Sequence, residues 1–131
     1  MSAAHRHTIH KNHLGWDNSI APVARVAPGE SVEFDVSDAS GDQLRPTSTV
    51  ADVAALDFSK VNPVTGPVFV DGAEPGDVLK VTLLSFVPSG WGWTANIPGF
   101  GLLADEFKQA ALHVWRYDPD TLAPALFGRW A

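Results

Sequence analysis

Residues 71–77 read Asp-Gly-Ala-Glu-Pro-Gly-Asp and stand between two apolar runs. Pro75 presets φ for the second position of a turn and Gly76 supplies positive φ at the third, so a type II turn is expected. Before the turn, residues 67–70 (Pro-Val-Phe-Val) are short and β-branched. After it, residues 78–87 alternate in their first half, with Val78, Lys80 and Thr82 on one face and Leu79, Val81 and Leu83 on the other. A period of two with Val, Thr and Phe enrichment reads as strand. The expectation is a strand–turn–strand unit whose carboxylates, Asp71, Glu74 and Asp77, sit at a solvated tip.

Residues 20–37 repeat the plan. Residues 22–26 predict a short strand, Ala27-Pro28-Gly29-Glu30 a turn, and residues 31–37 a second strand with Val32, Phe34 and Val36 inward and Glu33, Asp35 and Ser37 outward. Residues 110–117 alternate likewise, residues 118–120 form a turn, and residues 121–130 begin a further strand. Residues 49–58 predict a short helix with Thr49 as N-cap, Asp52 in a capping-box position, and Val50, Val53, Ala54 and Phe58 as its apolar stripe. Residues 102–108 allow one helical turn. Residues 89–101 carry too much Gly and Pro for helix or strand. The fold expected is mainly β: an antiparallel β-sandwich-like single domain over residues 1–131, built from hairpins with one or two short helices.

The chain has 131 residues, 45% of them hydrophobic, which is enough for one buried core. A net charge of −6 argues against nucleic acid and anionic membranes as partners. The absence of cysteine excludes disulfides, thiol catalysis and thiolate zinc sites. The first residues have no apolar core of a signal peptide, and no run reaches membrane-spanning length, so a cytoplasmic location is expected.

Four of the five histidines, His5, His7, His10 and His13, lie in residues 1–19. His5 and His7 read best as a solvated terminus. His13 opens His-Leu-Gly-Trp-Asp-Asn-Ser, which has the crowding of an ordered polar loop, and such loops often carry function. Asp38 ends a predicted strand and opens a polar loop over residues 38–48, in which a flexible Gly41 and then Gln43 follow it. A carboxylate there serves a metal, a substrate amide, or ordinary turn chemistry. Trp91, Trp93 and Phe100 plug a core edge, cover a partner surface, or wall a small pocket.

Three stretches together resemble one family. VNPVTGPVFVDGAEPGDVLKV from Val61, HLGWDNSIAPVARVAPGESVEFDVSDASGDQL from His13, and IPGFGLLADEF from Ile97 are similar to acetamidase/formamidase sequences, in order and at the expected spacing. The resemblance implies hydrolysis of short linear amides of the formamide or acetamide type to a carboxylate and ammonia, and a β-rich fold. Family members are much longer, so the chain corresponds to the N-terminal part of such an enzyme, and the downstream His-, Asp- and Gly-rich motifs linked to a metal fall outside it. Asp42 stands where the family more often has glycine.

Amide hydrolysis needs a polarised carbonyl, an activated water and a proton for the leaving amine. No serine sits in a nucleophile-elbow pattern, so a metal- or carboxylate-activated water is the better fit. Asp38 is the first candidate for general base or metal ligand, and Glu74 is a second catalytic candidate or a turn-fixing residue. Asn62 and Thr65 bind the substrate amide or fix the turn before Pro67. Trp91 and Trp93 wall a pocket for a small acyl group. His13 joins Asp38 as a candidate ligand of a divalent metal such as zinc. The partners expected are a small amide and either further copies of the chain or a second chain supplying the missing part. The alternative is a non-catalytic β-sandwich module or subunit that binds a partner through its aromatic loop.

Overall fold

The computed structural model describes residues 6–121. The expectations for His5 and for a strand over residues 121–130 fall wholly or mostly outside them. Eight short strands, one α-helix and one 3-10 turn are formed among the described residues, and the chain divides into two compact units. The mainly-β expectation holds. The pairing differs from the expected hairpins.

The first unit comprises residues 1–42 and 57–82. Its strands are β1 (Arg6–Ile9), β2 (Asn12–Leu14), β3 (Ala24–Val26), β4 (Ser31–Phe34), β5 (Pro63–Thr65) and β6 (Val68–Val70). β1 runs parallel to β4, with His7 opposite Val32. β3 runs parallel to β6, with Arg25 opposite Phe69. β2 and β5 are antiparallel, with His13 opposite Val64. The turn at residues 27–30 is formed, closed by the Glu30 N–H to Ala27 O bond. The strands flanking it pair elsewhere, so residues 20–37 are not a hairpin. Among the described residues of this unit, Ile9 and Val26 are the buried apolar side chains. The guanidinium of Arg25 lies 4.0 Å over the Phe69 ring and bonds Asp71 at 2.5 Å, a cross-strand pair on the exposed face.

The turn around Pro75 and Gly76 also forms. Gly76 takes φ +101°, and the Asp77 N–H donates to Glu74 O at 3.0 Å. The run that follows does not become a strand: residues 78–87 lie outside every ladder among the described residues. Alternation selects which side chains share a face, but a strand also needs a neighbour to take its N–H and C=O groups. The inward expectation for β4 is likewise overturned. The strand ends at Phe34, and Val36 is exposed.

The second unit comprises residues 43–56 and 83–131. Helix α1 (Val50–Ala54) is capped by Thr49, whose N–H and hydroxyl both donate to the Asp52 carboxylate, at 2.6 and 3.0 Å. Its first turn therefore forms where the capping pattern predicts, although of the expected stripe only Val53 is buried. The 3-10 turn Phe58–Lys60 belongs to the first unit. β7 (Trp91–Asn96) and β8 (Ala111–Arg116) form a long antiparallel pair, Trp91 opposite Arg116 and Asn96 opposite Ala111. β8 appears where its alternation predicts it. β7 corrects the reading of residues 89–101 as too rich in Gly and Pro for a strand. Gly90 and Gly99 bracket the strand at positive φ, and Gly92 within it does not break the ladder. Residues 102–108 make a single turn, with the Phe107 N–H bonded to Leu103 O at 2.9 Å. α1 packs on β8, Arg116 donates to Pro46 O at 2.7 Å, and among the described residues of this unit Leu44 and Val53 are the buried apolar side chains.

Candidate functional site

Two family-like stretches, distant in sequence, meet in the first unit. Asp38 builds its loop from its own carboxylate: one oxygen accepts from the Ser40 N–H at 2.8 Å and the other from the Asp42 N–H at 3.1 Å. Its carbonyl takes the Gly41 N–H at 2.9 Å. The loop is then fastened to the segment before β5, where the Asn62 N–H donates to Ala39 O at 2.8 Å. Ser40 is fully buried at this junction. Gly41 packs so closely that an added Cβ would collide with the Lys60 carbonyl oxygen. The flexibility expected of Gly41 is therefore overturned, because it is a contact glycine at φ +68°. Asp42 and Asn62 also take positive φ, at 62° and 54°. That explains why glycine suits position 42 and why a short polar residue is tolerated there.

Around this junction the candidate residues are tied together in series. Asn12 on β2 donates to Ser37 Oγ at 3.1 Å, just before Asp38. Thr65 on β5 donates to Asp35 O at 3.2 Å. The His13 ring nitrogen Nδ1 lies 3.2 Å from Gly66 O, where it donates as the N–H tautomer. The Gly66 N–H in turn donates to Lys11 O at 2.9 Å. Thus His13, Asp38, Asn62 and Thr65 all sit on segments stapled to one another. The loop after His13 is ordered as its composition predicts: Asp17 accepts from the Ser19 N–H at 2.8 Å and its hydroxyl at 2.7 Å. Those bonds, the hydroxyl's first, hold the Asp17 carboxyl below its usual range.

Glu74 occupies the first corner of the Pro75-Gly76 turn, exposed to solvent. The carboxylate that fixes this turn belongs to Asp77, which accepts the Glu74 N–H at 2.9 Å. Trp91 and Trp93 lie on the same face of β7 in the second unit, both half-buried. The opposite face carries Thr94, His113 and Trp115. The His113 and Trp115 rings meet edge-on at 4.5 Å, and the Trp115 indole N–H donates to Thr94 Oγ1 at 2.9 Å.

His13 and Asp38, the residues expected as ligands of a divalent metal, lie on β2 and in the loop after β4. Among the described residues no group of three or more His, Cys, Asp or Glu is gathered closely enough to hold one. A catalytic zinc takes about three protein ligands, so these two residues do not make a complete metal centre among the described residues.

Sequence reasoning missed Ser40, Asn12 and Asn96. The spacing Asp38-Ala39-Ser40-Gly41-Asp42 carried a usable signal, an Asp followed two residues on by a backbone N–H it can cap. For Asn96, whose amide bonds two carbonyls across a loop, no local signal existed.

The comparisons with known proteins agree with the motif stretches. The sequence model of the Acetamidase/Formamidase family matches residues 2–123. The formamidase of Methylophilus methylotrophus is 32% identical over 111 residues, covering 80% of this chain and 27% of that protein. The acetamidase of Mycolicibacterium smegmatis is 29% identical, covering 80% of this chain and 29% of its own length. Among solved structures, the gamma lactamase from Delftia acidovorans superposes with a TM-score of 0.65 at 29% identity, over 79% of this chain and 27% of that one. The acetamidase from Bacillus halodurans gives 0.64 at 23% identity over 83% of this chain and 37% of that one, a likeness of fold. The chain thus spans less than a third of the curated relatives named here, and it belongs to the Acetamidase/Formamidase family.

Proposed function

We propose that this chain forms part of an enzyme that hydrolyses short linear amides to a carboxylate and ammonia. The observation that carries the reading is the junction of residues 38–42 with residues 60–66. It joins two of the three family-like stretches into one stapled unit, and it holds the polar groups of both stretches together. Family membership supplies the reaction class, and relatives named formamidase and acetamidase supply the substrate class.

Within this reading the residues have distinct tasks. Asp38 is a positioning residue: each of its carboxylate oxygens accepts a backbone N–H of its own loop, from Ser40 and from Asp42. The Asn62 side-chain amide offers a carbonyl acceptor for a substrate N–H and an N–H donor for its C=O, while Thr65, whose hydroxyl proton goes to Asp35 O, fixes the turn before Pro67. His13 carries a second ring nitrogen beyond the one facing Gly66, which makes it the proton carrier of the set. Glu74 is exposed on a turn that the Asp77 carboxylate fixes. Trp91 and Trp93 give β7 of the second unit a half-buried aromatic face.

The test is a hybrid formamidase in which this chain replaces the portion of the Methylophilus methylotrophus protein that it matches. Ammonia release from formamide and acetamide is followed, with and without added zinc. The hybrid is expected to release ammonia from at least one of the two. A folded hybrid that is silent on both under both conditions would sink the proposal.

A further inference from the structure

Gly66 holds the β2 segment through both of its backbone groups. Its N–H donates to Lys11 O at 2.9 Å, one residue before β2 begins. Its carbonyl faces Nδ1 of His13, the middle residue of β2, at 3.2 Å. The β2–β5 ladder runs up to this point, pairing His13 with Val64 and Asn12 with Thr65. Just beyond it the Pro67 carbonyl takes the Val23 N–H at 2.9 Å, and the chain continues into β6, which pairs with β3. Gly66 is therefore fastened on both sides, and its carbonyl is fixed with it.

A carbonyl oxygen accepts and cannot donate, so the ring nitrogen that faces it carries the proton. In the neutral ring this leaves the lone pair on Nε2. Which nitrogen is protonated is set by the bond the other one makes, and an imidazole left to water favours the opposite form, with its proton on Nε2. The state that Gly66 selects is thus not the one His13 would take by itself. When Nε2 takes up a proton, the Nδ1–H bond to the carbonyl becomes charge-assisted and strengthens. An orienting acceptor on one nitrogen and a lone pair on the other is what a general base requires.

The identity of residue 66 follows from the same contacts. Its φ of 122° lies where L side chains are strained, and a Cβ would meet the Val68 nitrogen at 3.3 Å. A side chain here is relieved by turning the backbone, and that turns the carbonyl away from His13.

We propose that Gly66 is the positioning residue for His13: its carbonyl holds the ring as the Nδ1–H tautomer and so makes Nε2 the atom that accepts a proton from the attacking water. The water O–H bond breaks, the Nε2–H bond forms, and the same proton passes to the departing amide nitrogen. The proton transfer rests on the amide-hydrolase reading, whereas the tautomer is read without any reaction.

The first arm of the test records long-range proton–nitrogen correlations of the histidine rings in the 131-residue chain, at about pH 8, above the ordinary imidazole range. The expected spectrum shows His13 protonated on Nδ1 and unprotonated on Nε2. A His13 ring with its proton on Nε2 overturns the proposal, whatever the activity. The second arm uses the hybrid formamidase. His13→Asn sets an N–H donor where Nδ1 stood and has no counterpart of Nε2. It is expected to keep the melting temperature and to lose at least about a hundredfold in kcat. Gly66→Ala is expected to move the His13 tautomer toward Nε2–H and to lower kcat at least about tenfold with KM little changed. A His13→Asn hybrid as active as its parent overturns the role of Nε2. A folded Gly66→Ala chain that keeps the Nδ1–H pattern overturns the role of Gly66. A silent parent hybrid beside an Nδ1–H spectrum overturns the amide reading and supports the Gly66 contact, so the two failures are told apart.

Discussion

The backbone N–H of Asn62 donates to the carbonyl of Ala39 across 2.8 Å, joining two segments more than twenty residues apart. The bond sits beside Gly41, whose Cα hydrogen faces the Lys60 carbonyl with no room for a methyl group. Asn62 reaches this geometry at φ 54°, a conformation that Asn adopts more readily than most residues. One hydrogen bond, one glycine and one left-handed asparagine therefore set the distance between two stretches that the family shares.

The first prediction separates contact from conformation. Gly41 and Gly72 take similar positive φ values, 68° and 79°, but only Gly41 has a neighbour in the way. Gly72→Ala is expected to cost about 1 kcal/mol, the ordinary penalty for an L residue there. Gly41→Ala is expected to cost on the order of 3 kcal/mol or more, because the loop must lift away from Lys60. Urea unfolding of the two variants measures both. Equal losses would show that the close approach is not maintained in solution.

The second prediction concerns acid. Asp57 accepts from the Ser59 hydroxyl at 2.6 Å, Lys60 Nζ at 3.0 Å and the Ser59 N–H at 3.0 Å. These contacts, the Ser59 hydroxyl first, lower its carboxyl from 3.8 to about 2. A depressed folded value means the contribution to stability is fully present above the unfolded value. It is lost as pH falls from about 4 through about 2. Asp57→Asn is expected to flatten the melting temperature across that window and leave its slope above pH 5 unchanged. Carboxyl resonances followed by NMR between pH 1.5 and 5 give the titration directly, and a midpoint near the ordinary value would refute the contact set.

How far the chain could be read in advance depended on how local each signal was. The cap of α1 was legible because Thr49 and Asp52 are three residues apart and satisfy each other. The turn at Pro75 and Gly76 was legible for the same reason. The strand partners were not. β3 and β4 flank a formed turn, yet each pairs in parallel with a distant strand, β6 and β1. Parallel pairing leaves no turn signature in the intervening sequence. β7 was missed because Gly90 and Gly92 read as loop, and its strand character comes from the six-residue register with β8. At the site, His13 and Asp38 were marked by their own polar loops, and Asn62 and Thr65 by the family-like stretch from Val61. The buried Ser40 and the contact at Gly41 were not, because burial and the close approach of the Lys60 carbonyl to Gly41 arise from chain that is distant in sequence.

The third prediction addresses Asp38. Asp38→Asn keeps one carbonyl oxygen and loses an acceptor for either the Ser40 or the Asp42 N–H. The expected cost is about 1–2 kcal/mol of stability. In the hybrid enzyme, turnover is expected to fall with KM little changed, and the pH profile of the residual activity should keep its shape, since the residue positions a loop and carries no proton. A profile that loses its acidic limb in the variant would return Asp38 to the role of general base.

The fourth prediction turns on a donor that faces two carbonyls. The Asn96 side-chain amide donates to Phe107 O at 2.9 Å and Gln109 O at 2.6 Å, closing the base of the loop between β7 and β8. Asn96→Ala removes both bonds and is expected to cost about 1–2 kcal/mol, with faster amide exchange across residues 103–109. Asn96→Asp preserves size and shape but replaces the donor with an acceptor, setting a carboxylate against two carbonyl oxygens. That repulsion has no counterpart in the alanine variant, so Asn96→Asp is expected to be the more destabilising of the two at pH 7. Below the carboxyl's own titration the acid regains an O–H donor, and the order of the variants should converge or invert. Thermal melts of both variants at pH 7 and pH 3 test the ranking. An aspartate variant as stable as wild type at pH 7 would mean that the amide does not face the Phe107 and Gln109 carbonyls in solution.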